Sequence, residues 1–186
     1  WDRGRPWPLL SGKTAAVVAV GVAASAIGKL PKAFGMRLIG YDPFVTPDRA
    51  RQMSVEVTDL DDVLARADFL TLHVAKTPDT LGMIGVESLK KVKPGIRIVN
   101  VARGGIVDEQ ALADAVLDGR GAGAAIDVFA EEPTTTSPLF GVPGVVVTPK
   151  SSTATLPLLV TSRATASPPR MRPSRRGSLS RMLPEL

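Results

Sequence analysis

Short apolar runs rich in valine and isoleucine recur along this chain, spaced so that a helix fits between most successive pairs. They are AAVVAV (15–20), MRLIGYD (36–42), FLTLHV (69–74), RIVNVA (97–102), GAAIDVF (123–129) and VVVTP (145–149). A strand with one wet face alternates polar and apolar residues, whereas these runs are apolar on both faces, as strands of a covered parallel sheet must be. The segments between them fit helices. DEQALADAVLDG places Asp108 at an N-cap, Ala111, Leu112, Ala115 and Val116 on one apolar face, and Gly119 at the C-cap. LDDVLARAD (60–68) does the same on a smaller scale. Strand alternating with helix predicts an α/β fold, a doubly wound parallel sheet of the dinucleotide-binding (Rossmann) type.

The periodicity stops near residue 156. The remainder, TSRATASPPRMRPSRRGSLSRMLPEL, is rich in Pro, Ser and Arg, and such a composition buries too little apolar area to offset chain entropy. Disorder is expected there. Charge follows the same division: residues 1–150 hold 17 Lys and Arg against 17 Asp and Glu, so the net charge of +5 belongs to residues 151–186. A basic tail suits nucleic acid or an anionic surface, but this one has no aromatic residue to stack on a base and no recognition motif. Nucleic-acid binding is not expected. The absence of cysteine rules out disulfides and thiolate metal sites, and no apolar stretch approaches a membrane span. The opening WDRGRPWPLL lacks the pattern of a signal peptide, so a cytoplasmic location is the expectation.

The first strand, turn and helix read KTAAVVAVGVAASAIGKLPKAFGM. A dinucleotide-binding turn carries G-x-G-x-x-G: the first glycine makes the tight turn, the second admits the pyrophosphate, and the third lets the helix pack closely. Here the three positions are Ala19, Gly21 and Ala24. Ala19 adds a Cβ where the turn is tightest. Pro31 falls inside the predicted helix, which must kink or end there or lose about 3 kcal/mol. Asp42 closes the second strand 21 residues after Gly21, where the fold places an acid against the adenine ribose hydroxyls. An acid there disfavours a 2′-phosphate, so the expected cofactor is NAD rather than NADP.

The stretch VKPGIRIVNVARGGIVDEQAL (92–112) closely resembles the signature of the D-isomer-specific 2-hydroxyacid dehydrogenases. GKT (12–14), AFGM (33–36), GYDPF (40–44), ARADFLTLHV (65–74), GAAIDVFAEEP (123–133), SPLF (137–140) and VVVTP follow in the order of the phosphoglycerate dehydrogenase branch. The resemblance is ungapped from about Gly12 to Pro149. It implies an NAD-dependent oxidoreductase acting on a small 2-hydroxy acid, 3-phosphoglycerate in that branch, and a homodimer formed through the nucleotide domain. It also implies a substrate domain built from chain on either side of the nucleotide domain. Residues 1–11 are then a remnant of the inter-domain connection, residues 12–150 the NAD-binding domain, and residues 151–186 the tail, with the substrate domain largely missing.

The resemblance also assigns roles. Arg103 matches the arginine that grips the substrate carboxylate and polarises its carbonyl, a task suited to a fixed bidentate cation. Glu132 matches the acid that orients the catalytic histidine, and Asp127 the acid that accepts a hydrogen bond from the nicotinamide carboxamide. Val22 and Ala23, with Val101, Ala102 and Arg103, correspond to contacts with the cofactor. Val74 stands at a cofactor-lining strand end where the phosphoglycerate branch usually has threonine. His73, the sole histidine, falls on the adenine side as a packing residue. No metal ligand set is implied.

The family's catalytic histidine follows Thr-Pro at the end of a strand, and here that position is Lys150. Removing the hydroxyl proton needs a base that titrates near working pH. Imidazole does so unaided, whereas an amine of ordinary pKa near 10.4 needs a depression worth roughly 4 kcal/mol. A neighbouring Glu132 opposes that depression by stabilising the ammonium form. The segment after Lys150 loses the family pattern at once, as a frameshifted or decayed gene copy would. Two further readings follow: a non-catalytic nucleotide-sensing or corepressor-like module, and a basic-tailed nucleic-acid binder.

Overall fold

The computed structural model describes residues 9–21 and 29–148. Seven strands form one sheet: β1 Thr14–Val18, β2 Arg37–Tyr41, β3 Glu56–Val57, β4 Phe69–Leu72, β5 Ile96–Asn100, β6 Gly121–Ile126 and β7 Val145–Val147. The order across the sheet is β3-β2-β1-β4-β5-β6-β7 and every pairing is parallel. The chain winds outward from β1 to β3, then returns to lay β4 against the other side of β1. The direction of winding therefore reverses between β1 and β4, the place where open parallel sheets bind ligands beyond the carboxyl ends of their strands.

Burial explains why β1 sits at the centre. All five of its residues are buried, and alternate ones belong to different cores. Ala16 and Val18 join the large cluster with Ile39, Leu70, Leu72, Ile98 and Leu112. Ala15 and Val17 join the smaller one with Val20, Leu38 and Val55. Alternation along a strand sends successive side chains to opposite faces, so both faces of the sheet are covered. β7 is an edge, and Val146 is correspondingly 60 % exposed.

Five helices connect the strands among the described residues: α1 Lys29–Ala33, α2 Pro47–Met53, α3 Leu60–Arg66, α4 Val86–Lys90 and α5 Glu109–Leu117. The expected caps of α5 are present: the Asp108 carboxylate accepts the Ala111 amide at 3.0 Å, and Gly119 follows the last turn with φ +83°. Asp59 caps α3 in the same manner. Pro31 lies within α1, which ends two residues later, and Gly35 at φ +71° then turns the chain toward β2.

The amino ends of β1 and β4 are fastened by Asp68. Its carboxylate accepts the Thr14 amide at 2.8 Å and the Lys93 ammonium at 2.8 Å, with Lys13 at 3.8 Å. Burial opposes ionisation, but Lys93, the Thr14 amide and Lys13 together hold this carboxyl below its usual range.

Candidate functional site

The expected site residues lie beyond the carboxyl ends of successive strands. Ala19 to Gly21 follow β1, Asp42 follows β2, Val74 follows β4, Val101 to Arg103 follow β5, and Asp127 and Glu132 follow β6. Parallel pairing aligns these ends, so the topology gathers them along one edge of the sheet. Val22, Ala23 and Lys150 lie outside the described residues.

Ala19 occupies the left-handed region at φ +70°. This is the conformation that the first glycine of the motif supplies without strain, and a β-carbon there costs about 1–2 kcal/mol. Its amide donates to the Tyr41 carbonyl at 2.8 Å, fixing the turn against β2. Asp42 adds a second tie: Oδ2 accepts the Val20 amide and Oδ1 the Phe44 amide, both at 2.9 Å. Each oxygen keeps further acceptor capacity, because an ionised carboxylate has about four acceptor positions. Gly40 makes this approach possible, since a Cβ there would stand 2.7 Å from the Val20 side chain.

Beyond β4, the Val18 carbonyl accepts the His73 amide at 2.9 Å, and His73 Nε2 pairs with Thr71 Oγ1 at 2.9 Å. Burial holds the His73 imidazole below its ordinary pKa. The ring is thus engaged with its own strand, in keeping with a packing role. Val74 is half-buried and packs against the large core.

The loop after β5 is held by Asn100, which is 1 % exposed. Its side chain accepts the Ala102 amide and donates to the Arg103 carbonyl, both at 3.1 Å. Its own carbonyl accepts the Asp127 amide at 3.0 Å, joining the β5 and β6 ends. Gly104 brings these loops together more closely: a Cβ at this position would overlap the Phe129 carbonyl. Gly105 then turns the chain at φ +82°. The Arg-Gly-Gly sequence has a local physical basis, one glycine for approach and one for the turn. Arg103 is exposed, and its guanidinium donates to the Ala102 carbonyl at 2.7 Å.

On the β6 side, Glu132 Oε1 accepts the Phe129 amide at 2.9 Å, closing the loop that abuts Gly104. The Asp127 carboxylate accepts the Thr148 hydroxyl at 2.6 Å. Asn100, Gly104 and Thr148 were not singled out from the sequence. Asn100 leaves a trace there as a polar residue inside the mostly apolar run RIVNVA, whereas Gly104 and Thr148 stand within VARGG and VVVTP with nothing in the sequence to show their contacts.

The residues present suit a dinucleotide. Asp42 offers acceptors to a diol at the switch point, and a Cβ at Gly21 would meet no atom of the described residues within 4 Å. Among the described residues no group of three or more His, Asp and Glu side chains could hold a metal. Among the same residues no helix is long and apolar enough to cross a membrane.

An α/β domain with an acid at the end of β2 and an Arg-Gly-Gly loop after β5 defines a nucleotide-binding domain of the dehydrogenase class. Residues 1–152 match the family model described as D-isomer specific 2-hydroxyacid dehydrogenase, NAD binding domain. The chain therefore belongs to the D-isomer specific 2-hydroxyacid dehydrogenase family, as its NAD-binding domain. It is 51 % identical over 144 residues to D-3-phosphoglycerate dehydrogenase of Mycobacterium tuberculosis (strain ATCC 25618 / H37Rv), covering 77 % of this chain and 27 % of that protein. It is 44 % identical over 157 residues to D-3-phosphoglycerate dehydrogenase of Methanocaldococcus jannaschii, covering 83 % of this chain and 30 % of that one. The chain thus spans less than a third of these curated relatives. Among solved structures, the NAD-complexed D-isomer specific 2-hydroxyacid dehydrogenase of Lactobacillus delbrueckii ssp. bulgaricus superposes with TM-score 0.71 at 33 % identity, over 81 % of this chain and 50 % of that one.

Proposed function

We propose that this domain serves a dehydrogenase of the 3-phosphoglycerate type and that, as the 186-residue chain, it binds NAD without efficient turnover. The observation that carries the cofactor reading is Asp42, fixed at the end of β2 with acceptor capacity left for the adenine ribose hydroxyls. Gly21, Val22 and Ala23 would line the pyrophosphate. Val74, Val101, Ala102 and Arg103 would line the nicotinamide side, and Asp127 would accept from the carboxamide. When bound, NAD supplies the hydride acceptor for the carbon bearing the hydroxyl.

Arg103 would hold the carboxylate of a small 2-hydroxy acid, since its guanidinium is exposed beside the loop it shares with Asn100. The hydroxyl proton then needs an acceptor at position 150. Lys150 is a poor one, because an ammonium already carries its proton at neutral pH and a carboxylate at Glu132 favours that state. The same substitution supports the second reading, a nucleotide-sensing or corepressor-like module. Either form would pair as a homodimer through this domain.

Fluorescence titration of the whole chain with NADH, followed by addition of NAD and 3-phosphoglycerate, tests the proposal. Saturable binding with no NADH formation is expected. Turnover at a rate typical of a dehydrogenase, on the order of 1 per second or more, overturns the impairment, and absence of binding overturns the cofactor reading.

A further inference from the structure

Glu109 is the first residue of α5, next to the Asp108 cap, and its carboxylate reaches away from its own helix. Oε1 accepts the Ala130 amide at 2.8 Å and Oε2 accepts the Ser137 hydroxyl at 2.5 Å, contacts that span 21 and 28 residues of sequence. One side chain therefore grips both ends of the loop that carries Glu132. That loop is also closed internally by the Glu132 bond to the Phe129 amide, and Phe129 is the residue whose carbonyl lies against Gly104. Because α5 begins five residues after Gly104, Glu109 is tied through a short segment to the Arg103 loop.

We infer that Glu109 is a positioning residue, a two-handed clasp that sets the Glu132 loop against the Arg103 loop. A carboxylate suits the task, since each oxygen takes a separate donor and charge-assisted bonds are the stronger kind. Asp at this position would be one methylene shorter and could not hold both donors at these distances. The inference rests on the roles proposed for Arg103 and Glu132, but the clasp itself can be observed without ligand.

The test is residue-resolved amide hydrogen exchange by NMR on the whole ligand-free chain, comparing Glu109→Ala, Glu109→Gln and Ser137→Ala. Ala130 is exposed, so its amide depends on Glu109 for protection. In Glu109→Ala, exchange at Ala130 and Phe129 accelerates about tenfold or more, while the amides of β4 and β5 keep their rates. Glu109→Gln rescues the loop, because its amide oxygen accepts from Ala130 and its nitrogen donates to Ser137. Ser137→Ala gives an intermediate acceleration. Unchanged exchange at Ala130 and Phe129 in Glu109→Ala overturns the inference, as does an acceleration spread evenly over β4 and β5. If the parent chain fails to bind NADH while these exchange results hold, the functional reading falls and the clasp stands.

Discussion

The Asp42 carboxylate accepts the buried Val20 amide at 2.9 Å, so the acid that closes β2 also fixes the turn that follows β1. Removing the acceptor leaves that amide without this partner, which costs about 1–3 kcal/mol. Asp42→Ala should lower the urea unfolding free energy by that amount, and Asp42→Asn, which can keep one acceptor oxygen toward Val20, by less. Equal stability of Asp42→Ala and the parent would show that the bond contributes nothing.

Ala19 holds φ +70° with a β-carbon attached. Ala19→Gly relieves the left-handed strain but adds freedom to the unfolded chain, so the net gain expected is about 0.5–1 kcal/mol. Chemical denaturation with an unchanged m-value checks it. A loss of stability would contradict the strained-turn account.

Gly104 and Gly21 separate packing from cofactor approach. A Cβ at Gly104 overlaps the Phe129 carbonyl, so Gly104→Ala should lose about 3 kcal/mol or more. A Cβ at Gly21 meets no atom of the described residues within 4 Å, so Gly21→Ala should stay within about 0.5 kcal/mol of the parent. NADH affinity should nevertheless fall about tenfold in Gly21→Ala, because the proposed cofactor site sets the pyrophosphate against this backbone. Unfolding and titration measured on both variants test the contrast.

Two groups give stability a pH dependence of known sign. Burial lowers the pKa of His73, so the unfolded chain takes up a proton first, and stability declines as pH falls below about 6.5. Asp68 is held below its usual range, so its contribution is complete above about pH 4 and is lost as pH falls through the lowered folded value. Urea midpoints measured from pH 8 to pH 3 should show both declines. His73→Gln should remove the upper one and Asp68→Asn should lessen the lower, to which Glu56, Asp62, Glu87 and Asp118, lowered by their basic partners, also contribute; a parent midpoint that is flat between pH 7 and pH 5 contradicts the His73 account.

Six of the seven strands are legible as mostly apolar runs, because the central strands bury residues on both faces and polar residues such as Arg37, Thr71, Arg97 and Asn100 interrupt them only singly. β3, Glu56–Val57, is not: two exposed residues make no pattern and exist as a strand only through pairing with β2. The helices α2 and α4 are also too short to show a clear apolar face, and α2 buries Ala50 alone. At the candidate site, Asp42 stands out by its spacing from Gly21, and Arg103 by the family signature around it. Asn100, Thr148 and Glu109 act through contacts across the chain, and their partners at Asp127, Ala130 and Ser137 come near only once the strands align.

On the function proposed above, Asp42 selects NAD over NADP. Calorimetric titration of the whole chain with NADH and NADPH, repeated on Asp42→Ala, measures it most directly. The account predicts saturable NADH binding, at least tenfold weaker NADPH binding, and loss of that preference in the variant, as expected when a carboxylate faces a ribose diol or a 2′-phosphate. Equal affinity of the parent for the two nucleotides, or a preference that survives in Asp42→Ala, would contradict it.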